Sequence, residues 1–158
     1  HPEYILFENL PGIEKVEDIT PQFWENRMEQ MVNFEKHISL NGTKVLKFYF
    51  HMSKDEQRER LLKRLENPED NWKFSTGDLK ERERWDDYMK YYEEAINKTS
   101  TDFAPWYIIP ADDKGVARYI VAKIIWEEME KLTDIAEPEL DPKVKANIEE
   151  YRTQLKKM

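Results

Sequence analysis

From residue 20 onward, apolar positions recur at the three- and four-residue spacing of a helix, interrupted by two short and nearly continuous apolar runs. Phe23, Met28, Met31, Phe34 and Ile38 make the first periodic stretch. Thr20 before Pro21 supplies a capping hydroxyl followed by proline at the one position where its missing N–H costs nothing, and Asn41-Gly42 supplies the left-handed exit. The run TKVLKFYFHM over 43–52 is too continuously apolar to alternate, as suits a strand covered on both faces of a parallel sheet. Ser53 with Glu56 three residues on has the capping-box pattern, so a helix begins at once and ends near Asn67-Pro68. On it Leu61, Leu62 and Leu65 are expected to share one face and Arg60, Lys63 and Arg64 another. A long charged helix follows over about 78–97, with Leu79, Trp85, Met89, Tyr92 and Ile96 as its apolar stripe. WYIIPA at 106–111 is the second strand, and Asp112 or Asp113 caps the next helix. The linker TDIAEPELDP leads to a final helix capped by Asp141 with Pro142 in its first turn. Residues 1–19, broken by Pro2, Pro11 and Gly12, read as irregular.

Strands alternating with helices make the fold class α/β, with parallel strands. Two strands make a poor parallel sheet, because such sheets are covered on both faces and built from several strands. Either residues 1–19 hold a strand that the pattern hides, or the sheet is completed by sequence outside these residues. The second is expected. The opening HPEYILFENLP, without methionine and without a visible cap, also suggests a chain that starts inside a longer one.

Composition narrows the function. The chain has 158 residues, 37% of them charged, a formal net charge of -8 and no cysteine. That length suits about one domain, and the aromatic content of 13% argues against disorder. The absence of cysteine excludes a disulfide framework and a thiolate zinc site. No apolar run reaches the roughly 20 residues that span a bilayer, and no signal peptide is visible, so a cytoplasmic location without membrane partners is expected. A pI of about 5.1 disfavours nucleic acid as a partner.

Against that acidic background, SKDEQRERLLKRL gathers Lys54, Arg58, Arg60, Lys63 and Arg64 within residues 54–64. The strand before it flows straight into this helix, so the basic row starts at a strand's C-terminal end, where open α/β sheets hold ligands. Such a row can follow a chain of phosphates, arginine as a planar fork and lysine as a point charge. It can equally be a solvated face, its charge offset by Asp55, Glu56 and Glu59. Trp72-Lys73 lies in a polar loop, NPEDNWKFSTG, that can close over a ligand or simply anchor itself to the domain. ADDK at 111–114 joins a strand end to a helix start, a place for an anion or a nucleotide edge, or for a plain cap. His1, His37 and His51 have no ligand spacing and receive no role, and no residues of this chain are nominated to bind metal. The only glycines are Gly12, Gly42, Gly77 and Gly115, so no G-x-x-x-x-G-K-[ST] phosphate loop occurs.

The linked motifs SKDEQ, NWKFS, WDDY and TSTDFAPWYIIPADDK, in this order over residues 44–119, resemble the family-2 polyphosphate kinases. HPEY, FWENRMEQMVNFEKHI and NGT extend the resemblance upstream, and HPEY resembles the subgroup acting on nucleoside mono- and diphosphates. The resemblance implies a P-loop kinase-like three-layer fold with a parallel sheet, a helical lid and C-terminal helices. Residues 1–132 are then the C-terminal part of that domain, with the lid at about 53–98, and 133–158 are a linker and terminal helix. It implies phosphoryl transfer between inorganic polyphosphate and AMP or ADP, magnesium as cofactor and ATP among the nucleotides; a homo-oligomer is also expected, which the acidic, aromatic-rich helices permit. By position in the motif it places catalytic roles on Arg60 and Lys63, and polyphosphate contacts on Arg58, Arg64 and Lys73. Asn71, Trp72 and Arg82 fall to the lid and nucleotide, and Asp112 and Lys114 to a nucleotide edge. The family's Walker A loop and Walker B aspartate, expected before HPEY, have no counterpart in these residues. The chain alone is therefore expected to be inactive. The alternatives are a polyanion- or nucleotide-binding module without catalysis, and an assembly fragment.

Overall fold

The computed structural model describes residues 1–133 and 135–158. They fall into two compact units, residues 1–121 and 122–158.

In the first unit residues 1–19 form two short 3-10 helices, Pro2–Glu8 and Val16–Asp18, and no strand. The possibility of a hidden strand there is thereby removed. Helix α1 (Pro21–Leu40) starts where the sequence signals it, with the Thr20 hydroxyl accepting from the Phe23 N–H at 3.4 Å. It ends as the chain turns through Gly42 at φ 86°, a left-handed conformation that glycine adopts freely. Strand β1 (Lys47–His51) then leads into α2 (Lys54–Glu66). After the Asn67–Ser75 loop come α3 (Thr76–Glu83) and α4 (Trp85–Thr99), then strand β2 (Trp106–Pro110). Helix α5 (Lys114–Glu130) has its first residues in this unit and the rest in the second.

β1 and β2 pair in parallel, Lys47 opposite Trp106 through His51 opposite Pro110. The facing rings of Phe48 and Tyr107 stack at 5.5 Å, a cross-strand aromatic pair that helps fix the register. On the other face the Lys47 ammonium donates to Glu35 Oε2 and to the Thr99 carbonyl, both at 2.7 Å, and lies over the Trp106 ring. Trp106 Nε1–H donates to the Thr99 hydroxyl, itself donating to the Ala95 carbonyl. This network ties α1, β1, α4 and β2 together around one buried threonine. Ile109 is the largest fully buried side chain, whereas Phe50 and Ile108 stay about half exposed. The strands' apolar composition suits cover on both faces, and the described residues do not supply all of it.

Two helices differ from the sequence reading. The long helix expected over 78–97 is α3 and α4, separated at Arg84, whose N–H closes back on Glu81 in a tight i,i+3 turn. The final helix is likewise divided, into α6 (Pro142–Ala146) and α7 (Ile148–Lys157) in the second unit. Asp141 does cap α6, through the N–H groups of Lys143 and Val144. The linker expected at 133–142 includes Asp134, which lies outside the described residues.

Candidate functional site

Because the strands are parallel, their C-terminal ends share one edge, and α2 and α5 both start there. The two strand-to-helix junctions are stitched to each other. Ala111 N–H donates to the His51 carbonyl at 2.9 Å, and Ser53 N–H donates to Asp112 Oδ1 at 2.7 Å. The capping box at the start of α2 is therefore half made. The Ser53 hydroxyl accepts from the Glu56 N–H at 3.1 Å, but the Ser53 N–H belongs to Asp112 and the Glu56 carboxylate to Arg60. Hydrogen bonds from Ser53, and more weakly the nearby Arg60 and His51, hold the Asp112 carboxyl below its usual range. Asp113 rather than Asp112 caps α5, accepting from Gly115 N–H at 2.7 Å and Val116 N–H at 2.9 Å.

Arg60 is fixed at this edge. Its Nε donates to Glu56 Oε1 at 2.8 Å, and its Nη2 donates to the carbonyls of Ala111 at 2.7 Å and Asp112 at 3.1 Å. Its side chain and that of Arg64, one turn on, line a cavity of about 430 Å³. Asp78 and Glu81 of α3 are the carboxylates at the same cavity, and Leu61 lines it beside the arginines. The leucine and arginine faces of α2 thus meet rather than oppose each other. At 100° per residue, position 61 falls on the arc that carries 57, 60 and 64. Tyr49, Trp85, Met89 and Tyr92 give the cavity an aromatic and thioether wall, with the Tyr49 and Tyr92 rings 4.9 Å apart. Arg64's guanidinium and Lys63's ammonium take no hydrogen-bond or ion-pair partner among the described residues, and Lys63 is exposed and not among the residues that line the cavity.

The remaining candidates are distributed differently. Arg58 is engaged with Asp55 and Glu59 on the exposed side of α2. Arg82 reaches back from α3, its Nη1 donating to the Lys54 carbonyl at 2.6 Å and Gln57 Oε1 at 2.9 Å. Asn71 closes the C-terminal end of α2, donating to the carbonyls of Arg64 and Leu65. Trp72 is 80% exposed and so does not anchor its loop, and Lys73 lies over its ring while pairing with Asp70 at 2.5 Å. Lys114 opens α5, exposed. Arg60 and Arg64 therefore share the cavity, Lys63 is not among its lining residues, and Trp72 and Lys73 stand on the loop beyond α2.

One cluster escaped the sequence reading. His1 Nε2 meets Glu81 Oε2 at 2.9 Å and its Nδ1 meets Glu3 Oε1 at 3.0 Å, while Tyr88 O–H donates to the same Glu81 oxygen at 2.6 Å. A contact between residues 1 and 81 leaves no trace in periodicity or local spacing. Among the described residues no three His, Asp or Glu come together as a metal ion requires. No helix among the described residues is long and apolar enough to cross a membrane.

The relatives of the chain place this geometry in a family. It is 45% identical to an ADP-polyphosphate phosphotransferase of Rhodopseudomonas palustris, over 99% of this chain and 53% of that protein. It is 46% identical to an AMP/ADP-polyphosphate phosphotransferase of Meiothermus ruber, over 75% of this chain and 45% of that one. The chain thus spans about half the length of these curated relatives. The crystal structure of polyphosphate kinase 2 from Arthrobacter aurescens TC1 superimposes with a TM-score of 0.74 at 37% identity, covering 81% of this chain and 46% of that one. The mixed α/β architecture and parallel strand pair match that structure. Residues 7–137 fit the polyphosphate kinase 2 (PPK2) family model, and the chain belongs to that family.

Proposed function

We propose that this chain supplies the lid and the cationic wall for phosphoryl transfer between inorganic polyphosphate and AMP or ADP. The observation that carries this reading is the pair Arg60 and Arg64, side by side in one cavity at the C-terminal edge of a parallel sheet. In the transfer, an oxygen of the nucleotide's terminal phosphate attacks the terminal phosphorus of the polymer. The P–O bond to the next phosphate breaks, and the shortened polymer leaves with the electron pair. Negative charge spreads over the transferred group and the leaving oxygen, and fixed cations there lower the barrier. Arg60, with three donors committed, keeps its remaining N–H groups in one place without reorganising. Arg64 and Lys63, uncommitted, hold the polymer, and Trp72 and Lys73 close over it with the loop. Magnesium is the cofactor this chemistry calls for, and it is commonly held by one or two carboxylates together with the substrate phosphates.

The test is formation of ADP or ATP from AMP or ADP with polyphosphate and Mg²⁺, in the full-length protein and in its Arg64→Ala variant. The expected outcome is polyphosphate-dependent turnover in the wild type and a loss of about 10- to 100-fold in kcat/KM in the variant. Without a phosphate loop in their sequence, the 158 residues alone are expected not to turn over. Turnover by these residues alone, or none by the full-length protein, overturns this division of labour.

A further inference from the structure

We propose that Glu81 is a positioning residue for the cavity, held away from the arginines by a latch whose other half is His1. This rests on the reading of the cavity as the polyphosphate site. The latch joins three elements. His1 precedes the first 3-10 helix, Glu81 lies in the last turn of α3, and Tyr88 lies in the first turns of α4. His1 Nε2 and Tyr88 O–H converge on Glu81 Oε2, at 2.9 and 2.6 Å, and so span the bend at Arg84. The ring also stacks on Tyr4 at 5.1 Å and keeps only 22% of its side chain exposed.

The chemistry of the contact makes it proton-dependent. Ionised carboxylates only accept, and both ring nitrogens of His1 face one, Glu3 on Nδ1 and Glu81 on Nε2. Only the imidazolium donates from both nitrogens. A neutral imidazole has a single N–H and must release one partner. The charged groups facing His1 are Glu3 and Glu81, which favour its proton, and Arg84, which opposes it. In keeping with the geometry, hydrogen bonds to Glu81 and then Glu3 raise the His1 pKa above 6.5. Hydrogen bonds from Tyr88 first and His1 second hold the Glu81 carboxyl down, and the hydrogen bond to Glu81, with burial and the Glu81 charge after it, pushes the Tyr88 phenol up to about 12. The His1 contribution is complete below its ordinary pKa and is lost as pH rises through the raised one. The Glu81 contribution is present above the ordinary carboxylate range and is lost as pH falls through its lowered pKa. The latch is closed between these limits.

Glu81 lines the same cavity as Arg60 and Arg64. With the latch closed, its charge is matched by Tyr88, His1 and the nearby Arg84, and Arg64 is left for an anionic substrate. Once His1 is neutral, Glu81 becomes a competitor for Arg64, and binding of polyphosphate weakens while the chemical step is untouched.

The experiment measures KM for inorganic polyphosphate and kcat from pH 6 to 9 in the full-length enzyme, its His1→Gln variant and its Tyr88→Phe variant. Alongside it, the His1 ring protons are titrated by NMR in the wild type and in Glu81→Gln. In the wild type KM rises about two- to fivefold through the His1 titration, the range of a partly exposed ion pair, at nearly constant kcat. In His1→Gln that rise is absent, KM sits at the high-pH value throughout, and kcat is retained. Tyr88→Phe shifts the rise to a different pH. Glu81→Gln moves the His1 titration back toward its ordinary value. A wild-type pH profile surviving in His1→Gln, or a His1 titration indifferent to Glu81→Gln, overturns the latch. Absence of polyphosphate-dependent turnover in the wild type overturns the phosphotransfer reading together with the role given to Glu81. The NMR titration then reports separately whether the His1–Glu81 contact exists.

Discussion

Arg60 commits three of its five N–H donors to Glu56, Ala111 and Asp112, whereas Arg64, one turn along the same helix, commits none among the described residues. A guanidinium held in this way suits a charge that appears only in the transition state, because it has no orientation left to lose. Arg60→Ala in the full-length enzyme is therefore expected to lower kcat by about 100-fold, with a smaller effect on KM. Arg60→Lys should be nearly as defective, since a single ammonium cannot serve Glu56 and two carbonyls at once. Steady-state kinetics on both variants decide this, and normal turnover in either removes Arg60 from the catalytic wall. The shared face of Arg60 and Arg64 was legible from their spacing. Their difference was not, because it comes from backbone carbonyls just after β2, some fifty residues away, which no local pattern encodes.

At the scale of elements, the caps carried their own instructions. Thr20, Ser53 and Asp141 each accept from a backbone N–H where their sequence context predicts it. The bend at Arg84 carried none, since no glycine or proline marks it and the apolar spacing of Trp85, Met89 and Tyr92 continues the stripe beyond it. The contacts that hold the elements together were equally silent, and the Lys47 network is the clearest case. Lys47 and Glu35 keep side-chain exposures of only 11% and 16%, so each charge depends on its partner. Glu35→Leu leaves the Lys47 ammonium to the Thr99 carbonyl and the Trp106 ring, and is expected to cost about 2–4 kcal/mol in urea-induced unfolding. The double variant Glu35→Leu with Lys47→Met removes both charges and should recover a large part of that loss. If the single variant unfolds at the wild-type midpoint, the network does not organise the strand pair.

At the scale of the whole molecule, many large apolar side chains are exposed among the described residues. Among the described residues the buried apolar side chains are Ile5, Ala104, Ile109, Ala111 and Ala117, most of them small. Phe50 and Ile108, on adjacent strands, are 51% and 52% exposed, in a type of sheet that proteins cover on both faces. The sequence pattern raised this problem in advance, since two strands make a poor parallel sheet and such sheets are built from several strands covered on both faces. With so few apolar side chains buried, these residues alone are expected to fold without full cooperativity. Expressed as these 158 residues, it is expected to bind the dye ANS with a severalfold rise in fluorescence and to unfold over a broad range of urea. The full-length protein is expected to bind little dye and unfold sharply. The comparison separates two origins of the open faces. Strong dye binding by the 158 residues alone means the strands need cover from elsewhere, in the same polypeptide or a second copy. Weak binding with a steep transition means these residues close their own core, and the exposure of Phe50 and Ile108 is then a property of a stable domain.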